Sequence, residues 1–287
     1  GIVHSYSRRY VAGDAHVDRF FGLVFGFTIA VMVLVAADAF ALFVLAWLAM
    51  GAAMAGLIGH VDGWPQAQTA ARLAGRYSFA SGVLVAAALT TLWWHTGVTS
   101  VSAVPDELAA ATPTVVLAAG ALLVLAAMVQ SALIPFHTWL LSSMTAPTPA
   151  SALMHAGFVN AGGVLLVRFA PVVSADAGLM FVVVAVGAAS AILGKLLKTV
   201  QTDVKRALGC STIGQMGFMI LQAGLGFFAA AVAHLVLHGF YKAYQFLSSG
   251  DRVEHTSPAA DTEQASTGVL DGATVPGTAV AGGVGFA

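Results

Sequence analysis

Three basic side chains recur at intervals of four residues inside an otherwise apolar segment. His234, His238 and Lys242 lie in the run His-Leu-Val-Leu-His-Gly-Phe-Tyr-Lys. If this segment is helical, the spacing puts all three side chains on one face. Histidine exchanges a proton near neutral pH, and a lysine removed from water can also do so. The pattern is therefore typical of a path for protons.

Two further basic residues in apolar segments extend this candidate path. His155 lies midway along one segment, and Lys195 lies near the end of another. A charged side chain at the centre of a bilayer costs about 2.5–3.5 kcal/mol on insertion scales, so such residues are functional candidates. Two alternatives remain open. The pair at positions 234 and 238 has a spacing that suits a metal, although no carboxylate or cysteine accompanies it, and the lysines could extend to the membrane interface.

A proline interrupts another apolar segment. Pro135 lies within Val-Gln-Ser-Ala-Leu-Ile-Pro-Phe-His-Thr-Trp-Leu, residues 129–140. Proline removes a backbone donor and kinks a helix, and broken backbone at membrane depth is tolerated only against protein or a hydrated cavity. Discontinuous helices of this kind mark ion paths in transporters. The alternative is an ordinary proline kink, with His137 capping the broken backbone.

The composition decides which solvent surrounds these segments. Hydrophobic residues make up 59% of the 287 residues and charged residues 9%, whereas soluble domains carry about 25% charge. Lipid must therefore surround most of the chain. The net charge of −1 gives no indication of a nucleic-acid partner. Cys210 is the only cysteine, which excludes an internal disulfide and a cysteine-based metal site.

Apolar runs long enough to cross a bilayer as helices occur about eight times along the chain. The runs are 20–37, 40–59, 78–97, 113–134, 148–169, 177–199, 207–225 and 226–248. The sequence therefore predicts an all-α integral membrane protein, a polytopic helix bundle with a discontinuous helix at Pro135.

Basic residues predict how such a bundle is oriented. When the helices are counted in alternation, one side carries Arg8, Arg9, Arg19, Arg72, Arg76, Lys198, Lys205, Arg206 and Arg252. The other side carries Asp38, Asp106, Glu107 and Asp176, with Arg168 as the one basic exception. Because basic loops face the cytoplasm, both ends of this chain are predicted to be cytoplasmic, with the bundle in the cell membrane.

The chain divides into four predicted segments. Residues 1–19 form a cytoplasmic loop, and residues 20–248 form the transmembrane domain. Residues 249–274, rich in small and polar types, predict a flexible loop. The apolar run 275–287 is too short to cross a bilayer and predicts the truncated start of a further helix. We therefore expect a fragment of a longer membrane protein.

Several motifs stand in the order typical of one family. They are Pro135-Phe-His-Thr-Trp-Leu140, Ala146-Pro-Thr-Pro-Ala-Ser-Ala-Leu-Met-His-Ala156, Gln201-Thr-Asp-Val-Lys-Arg206, Ser211-Thr-Ile-Gly-Gln-Met-Gly-Phe218 and the segment 234–250. Residues 1–250 resemble the antiporter-like proton-translocating subunits: subunit L of respiratory complex I, the Mrp cation/proton antiporters and the membrane subunit of the DAB inorganic-carbon pump. The resemblance implies that the spans correspond to the family's fourth to eleventh helices. It also implies that Pro135 lies in the first of two inverted repeats, and that the candidate histidines and Lys242 match protonatable positions.

Two charges that the family usually has are missing from this chain. Complex I subunits usually place a glutamate where this chain has Leu48 and a lysine where it has Gln130. Asn160 stands where some relatives carry a lysine. The resemblance therefore implies an ion path different from the usual one, with Gln130, Pro135, His137 and Asn160 as its broken-helix and polar part.

Three segments look like the DAB-type membrane subunit in particular: 141–149, 155–163 and the loop 63–68. In that family the membrane subunit pairs with a large, soluble, zinc-containing protein that resembles a carbonic anhydrase, and ion flow drives bicarbonate accumulation. We therefore expect an H⁺- or Na⁺-translocating subunit of an inorganic-carbon uptake complex, with no catalysis and no cofactor of its own. The alternatives are a pumping subunit of an NADH–quinone oxidoreductase or Mrp antiporter, and a scaffold whose buried His and Lys only stabilise packing.

Overall fold

The computed structural model describes residues 1–108 and 111–249 as a bundle of α-helices. The helices are α1 Ile2–Tyr10, α2 Val17–Ala36, α3 Phe40–Ile58, α4 Pro65–Thr96, α5 Val104–Glu107, α6 Pro113–Gln130, α7 Thr138–Ser142, α8 Thr148–Ala156, α9 Ala161–Arg168, α10 Ala170–Val173, α11 Ala177–Thr199, α12 Val204–Gly224 and α13 Phe228–Leu247. The predicted loop 249–274, apart from Ser249, and the predicted helix start 275–287 lie outside the described residues.

Six stretches of the described chain are long and apolar enough to cross a membrane. They are α2, α3, α4, α6, the stretch from α8 through α9, and α11. Helices α12 and α13 have 21 and 20 residues, but polar side chains such as Gln215 and Lys242 lower their mean hydropathy. The predicted all-α membrane fold is confirmed, and the count of about eight spans stays a prediction.

Two segments predicted to be loops are helical. The segment 1–19 contains α1, which packs through a face of residues spaced by four: Val3 contacts a buried apolar cluster, and Ser7 and Val11 are buried. Helix α4 begins at Pro65, well before the apolar run 78–97. Its first turns are rich in alanine and polar helix formers, and proline is favoured at the first helical position. Hydropathy alone detects only the apolar part of such a helix.

The predicted span 148–169 is not one continuous helix. Helix α8 ends at Ala156, a 3-10 turn covers Phe158–Asn160, and α9 begins at Ala161. The segment contains Gly157, Gly162 and Gly163, which have low helix propensity. Glycine is a weaker sign of a helix break than proline, and the sequence predicted a break only at Pro135.

Helices α11 and α12 are neighbours whose backbones come into close contact. A Cβ atom added at Gly194 would lie 2.3 Å from the backbone nitrogen of Gly214, and one added at Gly217 would lie 2.4 Å from the backbone nitrogen of Ala191. Small residues allow this kind of approach between helices in membranes. We call this contact the glycine seam. It fixes α12, which carries several residues of the candidate site, against α11.

Asp38 joins the loop after α2 to the loop after α4. Its carboxylate accepts 2.8 Å hydrogen bonds from the backbone and the hydroxyl of Ser102, and both bonds lower the pKa of Asp38 below its usual 3.8, with a smaller contribution from Arg168. Because the pKa is lowered in the folded state, the contribution of Asp38 to stability is present above about pH 4 and is lost as the pH falls through the lowered value.

We expect Asp38→Ala to loosen this connection at neutral pH. The amides of residues 100–102 should exchange with deuterium faster than in the wild-type protein, because Ser102 loses both bonds to the carboxylate. Hydrogen exchange measured by mass spectrometry tests this. Asp106→Ala, at an exposed position of the short helix α5, is the control and should leave the exchange of residues 100–102 unchanged.

Candidate functional site

Lys242 is fully buried between α13 and α12. Its Nζ donates to the backbone carbonyl of Leu208 at 3.1 Å and to the hydroxyl of Ser211 at 3.0 Å. The side chain is therefore enclosed by protein and bonded to α12. A buried ammonium is costly unless hydrogen bonds compensate for lost water, and here two of its three donors have partners.

His155 reaches the same turn of α12 from α8. It is fully buried, its Nδ1 lies 3.0 Å from the Thr212 hydroxyl, and its ring stacks on Phe246 with 4.3 Å between centroids. The Thr212 hydroxyl donates to the carbonyl of Leu208 at 3.0 Å, so its oxygen accepts from His155 Nδ1–H. The lone pair then resides on Nε2, which has no hydrogen-bond partner among the described residues. Lys242 and His155 thus meet through one backbone carbonyl and one hydroxyl.

The other two histidines line a cavity of about 480 Å³ between α12 and α13. His234 is half-buried, and its Nδ1 lies 3.0 Å from Oε1 of Gln222. His238 is buried, with neither ring nitrogen hydrogen-bonded within the described chain, and Oε1 of Gln215 is also without a partner there. The two rings have their centroids 6.0 Å apart. A cavity of this volume has room for several waters, and the polar atoms of these side chains could bind them.

The two helix breaks are hydrogen-bonded to each other. At the end of α6, Gln130 donates to the carbonyl of Phe158 at 3.1 Å, and the Ser131 hydroxyl donates to that of Val159 at 2.8 Å. Both carbonyls belong to the 3-10 turn between α8 and α9. Broken backbone at membrane depth needs such partners, so Gln130 satisfies the break instead of carrying a charge.

Asn160 connects this junction to the histidine helix. Its side-chain amide donates to the carbonyl of Ala156 at 2.7 Å and, more weakly, to that of Leu235 on α13 at 3.4 Å. Leu235 directly follows His234. The polar residues of the α8–α9 turn and the histidines of α13 are therefore adjacent.

The remaining predicted residues lie apart from this group. Lys195 is exposed on α11, and Pro135 is exposed in the connection between α6 and α7. His137 is half-buried at the start of α7, where its Nδ1 has no hydrogen-bond partner in the described part of the chain. The buried cluster thus contains His155, Lys242 and the two histidines of α13, but not these three.

Four polar residues of α12 belong to the candidate site although they were not predicted from the sequence. Ser211, Thr212, Gln215 and Gln222 contact or surround the candidate histidines and Lys242. Thr212, Gln215 and Gln222 are spaced by three and seven residues along α12, and this was the available signal because it keeps them near one face of a helix. Hydroxyl and amide side chains are common in membrane helices, so this signal was weaker than that of the basic residues.

The position of the family's glutamate is filled by apolar packing. Leu48 is half-buried against α4, and a Cβ atom added at Gly82 would lie only 2.4 Å from Cδ2 of Leu48. The leucine therefore occupies space that a glycine leaves open. Any ion path in this chain must dispense with a carboxylate at that position.

Thr212 offers a test of how the cluster is connected. Thr212→Val keeps the shape of the side chain but removes the hydroxyl, leaving His155 Nδ1 buried and unpaired at a cost of about 1–3 kcal/mol. If about 1.4 kcal/mol of this cost raises the barrier to proton transfer, flux in liposomes falls about tenfold. Thr91→Val on α4 is the matched control, since its hydroxyl also bonds the carbonyl four residues earlier, at 2.8 Å. Equal effects of both substitutions would contradict a specific role for Thr212.

The sequence of this chain is similar to those of known membrane proteins. The profile of the family described as NADH:quinone oxidoreductase/Mrp antiporter, TM matches residues 37–270. The probable inorganic carbon transporter subunit DabB1 of Halothiobacillus neapolitanus is 38% identical over 88% of this chain and 46% of its own length. NADH-quinone oxidoreductase subunit L of Mycobacterium tuberculosis is 38% identical over 87% of this chain and 40% of its own length.

A solved structure agrees with these relatives. A chain of the Mrp complex from Dietzia sp. DQ12-45-1b superposes with a TM-score of 0.81 at 30% identity, over 85% of this chain and 27% of that one. The chain thus spans about half the length of the curated relatives, or less. Since the family profile covers most of the sequence and the helical bundle superposes on a solved relative, this chain belongs to the NADH:quinone oxidoreductase/Mrp antiporter transmembrane family.

Proposed function

We propose that this chain carries an ion path across the membrane, along the polar axis from His155 through Lys242 and His238 to His234. The fully buried Lys242, held by the carbonyl of Leu208 and the hydroxyl of Ser211, is the observation that carries the proposal. A lysine is retained inside an apolar bundle where an apolar residue would pack at less cost. Lys195 is proposed as an interface residue and not as a step of the path, because it is exposed.

The proposed path has two parts with different surroundings. Around Lys242 and His155, the groups are tightly hydrogen-bonded and leave one free nitrogen, Nε2 of His155. Around His238 and His234, the rings face a cavity that has room for water. Protons move readily along hydrogen-bonded groups and water, so H⁺ is the ion that this arrangement favours. Each charge that crosses 100 mV releases about 2.3 kcal/mol, which a coupled process can use.

We further propose that the ion flow drives inorganic-carbon uptake. The chain is equally similar to the carbon transporter subunit and to subunit L, so identity does not decide between them. The apolar packing of Leu48 and the use of Gln130 as a backbone partner favour the carbon transporter, because the proton-pumping scheme of complex I uses charges at both positions. The partner would then be the large, soluble, zinc-containing subunit that the resemblance implies. The basic side of the bundle is proposed to face the cytoplasm.

Two measurements on the full-length protein test this proposal. Purified and reconstituted in liposomes, the complex should collapse an imposed pH gradient. A tag on this chain should co-purify a large zinc-containing protein, identified by mass spectrometry and metal analysis. Co-purification of a quinone-reducing complex without such a protein would instead favour a pumping subunit of an NADH–quinone oxidoreductase, and the absence of flux would favour a scaffold.

A further inference from the structure

Another buried histidine lies outside the path described above, between the loops at one end of the bundle. His60 lies two residues after the end of α3, is 2% exposed, and has Phe20 edge-on against its ring. Its Nε2 lies 3.1 Å from Oδ2 of Asp14, whose side chain remains 32% exposed. One side of this pair is therefore buried and the other meets water. A buried imidazole paired with a partly exposed carboxylate is suited to exchanging protons with solvent.

The neighbouring charges leave Asp14 as the partner of His60. Arg19 makes two hydrogen bonds to Asp62, at 2.9 and 3.1 Å, and also donates to the backbone carbonyl of His60. His16 lies 3.3 Å from the same Asp62 carboxylate. The positive charge of Arg19 is thus compensated by Asp62, and Asp14 remains available to stabilise a protonated His60.

Both carboxylates stay ionised near neutral pH. A hydrogen bond from the backbone of His16 is the main cause that lowers the pKa of Asp14 below its usual 3.8, and His60 adds to this. Arg19 likewise lowers the pKa of Asp62. Asp14 therefore carries a negative charge over the whole range in which a histidine titrates.

A cavity of about 230 Å³ lies beside this pair. Its lining includes Asp14 and His60 together with Thr145, Ala146 and Lys205. Nδ1 of His60 and the hydroxyl of Thr145 are buried and have no hydrogen-bond partner among residues 1–108 and 111–249. A buried polar atom without a protein partner usually binds water, and a cavity of this volume has room for several waters. The cavity thus offers a space for water between His60 and Lys205.

The far side of this cavity lies close to the buried cluster. Lys205 donates to the carbonyl of Ala146 at 3.3 Å and lies in the first turn of α12. Leu208, whose carbonyl binds Lys242, is three residues further along the same helix, a rise of about 4.5 Å. One helical turn therefore separates the cavity from the residues of the proposed path.

We propose that the Asp14–His60 pair is the proton-uptake site through which water on this face loads the buried cluster at Lys242. This proposal rests on the proposed function above. In the uptake step, a hydronium ion in the cavity water transfers a proton to Nδ1 of His60, so that one N–H bond forms and one O–H bond breaks. The resulting imidazolium is held by the Asp14 carboxylate through its Nε2–H. The same Nδ1 proton then passes to water on the Lys205 side of the cavity, which restores the neutral ring.

The charges around the pair set its pH response. The titratable and charged groups near His60 are Asp14, His16, Arg19, Asp62, Tyr10 and Lys205. Asp14 favours the imidazolium, whereas the cation of Lys205 across the cavity opposes a charge that stays there. Proton uptake through the pair should therefore follow the pH on this face of the membrane.

The test compares variants of the full-length complex reconstituted in liposomes. His60→Ala should lower the pH-driven proton flux at least about tenfold, a modest value for the loss of one acid–base group. Imidazole added to the solution should restore most of this flux, because it can replace the missing ring in proton transfer. Asp14→Asn should lower flux as well. Asp18→Asn is the matched control: this exposed carboxylate in the first turn of α2 does not line the cavity, and its replacement should leave the flux close to wild type.

Three outcomes separate this proposal from its alternatives. Loss of flux in His60→Ala without rescue by imidazole, together with an equal loss in Asp18→Asn, would assign the pair to loop structure and overturn the proposal. Wild-type flux in His60→Ala would also overturn the proposal for His60. If the flux of that variant is still lost on replacement of Lys242, the proposed function remains intact. If the wild-type complex conducts no protons, the proposed function itself fails. Thermal unfolding of each variant shows whether it is folded, and His60→Gln provides a milder substitution if the alanine variant is not.

Discussion

Replacing Lys242 with methionine is expected to abolish proton flux and, at the same time, to leave the protein as stable as before or more stable. Methionine has a similar length but no proton to exchange, so the path is interrupted at its most buried group. General acid–base groups contribute factors of about 10²–10⁴ to proton transfer, and we expect at least a hundredfold loss of flux. A buried charge replaced by an apolar side chain of similar volume is often neutral or stabilising.

A loss of proton flux without a loss of stability would distinguish an ion path through Lys242 from a purely structural role of this residue. If Lys242 only stabilised packing through Leu208 and Ser211, its removal would lower the thermal unfolding temperature. Lys195→Met is the matched control, because this lysine is exposed on α11. It should retain nearly full flux. Liposome flux and thermal unfolding should be measured for both variants. Proton flux like that of the wild type in Lys242→Met would contradict our assignment.

The largest expected effect on stability lies at the glycine seam between α11 and α12. In Gly194→Ala, the new methyl group would lie 2.3 Å from the backbone nitrogen of Gly214, and backbone atoms cannot move aside as a flexible side chain can. The helices must separate, and overpacking of this kind costs about 1–3 kcal/mol or more. We expect a lower thermal unfolding temperature in detergent and a loss of flux, because α12 carries Leu208, Ser211 and Thr212.

Gly26→Ala provides the control for this substitution. Gly26 lies in α2, another long apolar helix, and a Cβ atom added there meets no heavy atom within 4 Å. Alanine favours a helix over glycine by about 1 kcal/mol, so this variant should be as stable as the wild type or slightly more so. If the two alanine variants unfolded at the same temperature, the close contact at Gly194 would not contribute to the stability of the protein.

The sequence predicts the apolar helices well and their polar extensions badly. The bounds of α11 agree with the predicted run 177–199, because polar residues flank the apolar segment on both sides. Helix α4 extends far beyond its apolar run, since its first turns are polar but strongly helix-forming. The break after α8 was missed because no proline marks it. Such a break depends on partners from elsewhere, here Gln130 and Ser131, which a pattern along one segment does not show.

The sequence predicted the basic residues of the candidate site but not the polar side chains of α12 that contact them. The spacing of His234, His238 and Lys242 indicated a shared face, and in the structure all three reach α12 or the adjoining cavity. Thr212 could not be predicted in the same way, because its contact with His155 joins residues far apart in the chain. The exposure of Lys195 is equally a result of tertiary packing, since its own segment reads as apolar throughout.

The carbonyl oxygen of Leu208 has more donors than lone pairs. It accepts from Nζ of Lys242 and from the hydroxyl of Thr212, and its place in α12 adds the amide of residue 212 as a third donor. A carbonyl oxygen has two lone pairs, so the three donors compete and no arrangement satisfies all of them fully. The ammonium of Lys242 is the only one of the three that is not tied to the α12 backbone or to its own turn. It is therefore the donor that can leave, and a lysine that can exchange partners without unfolding its surroundings is able to carry a proton from one neighbour to the next.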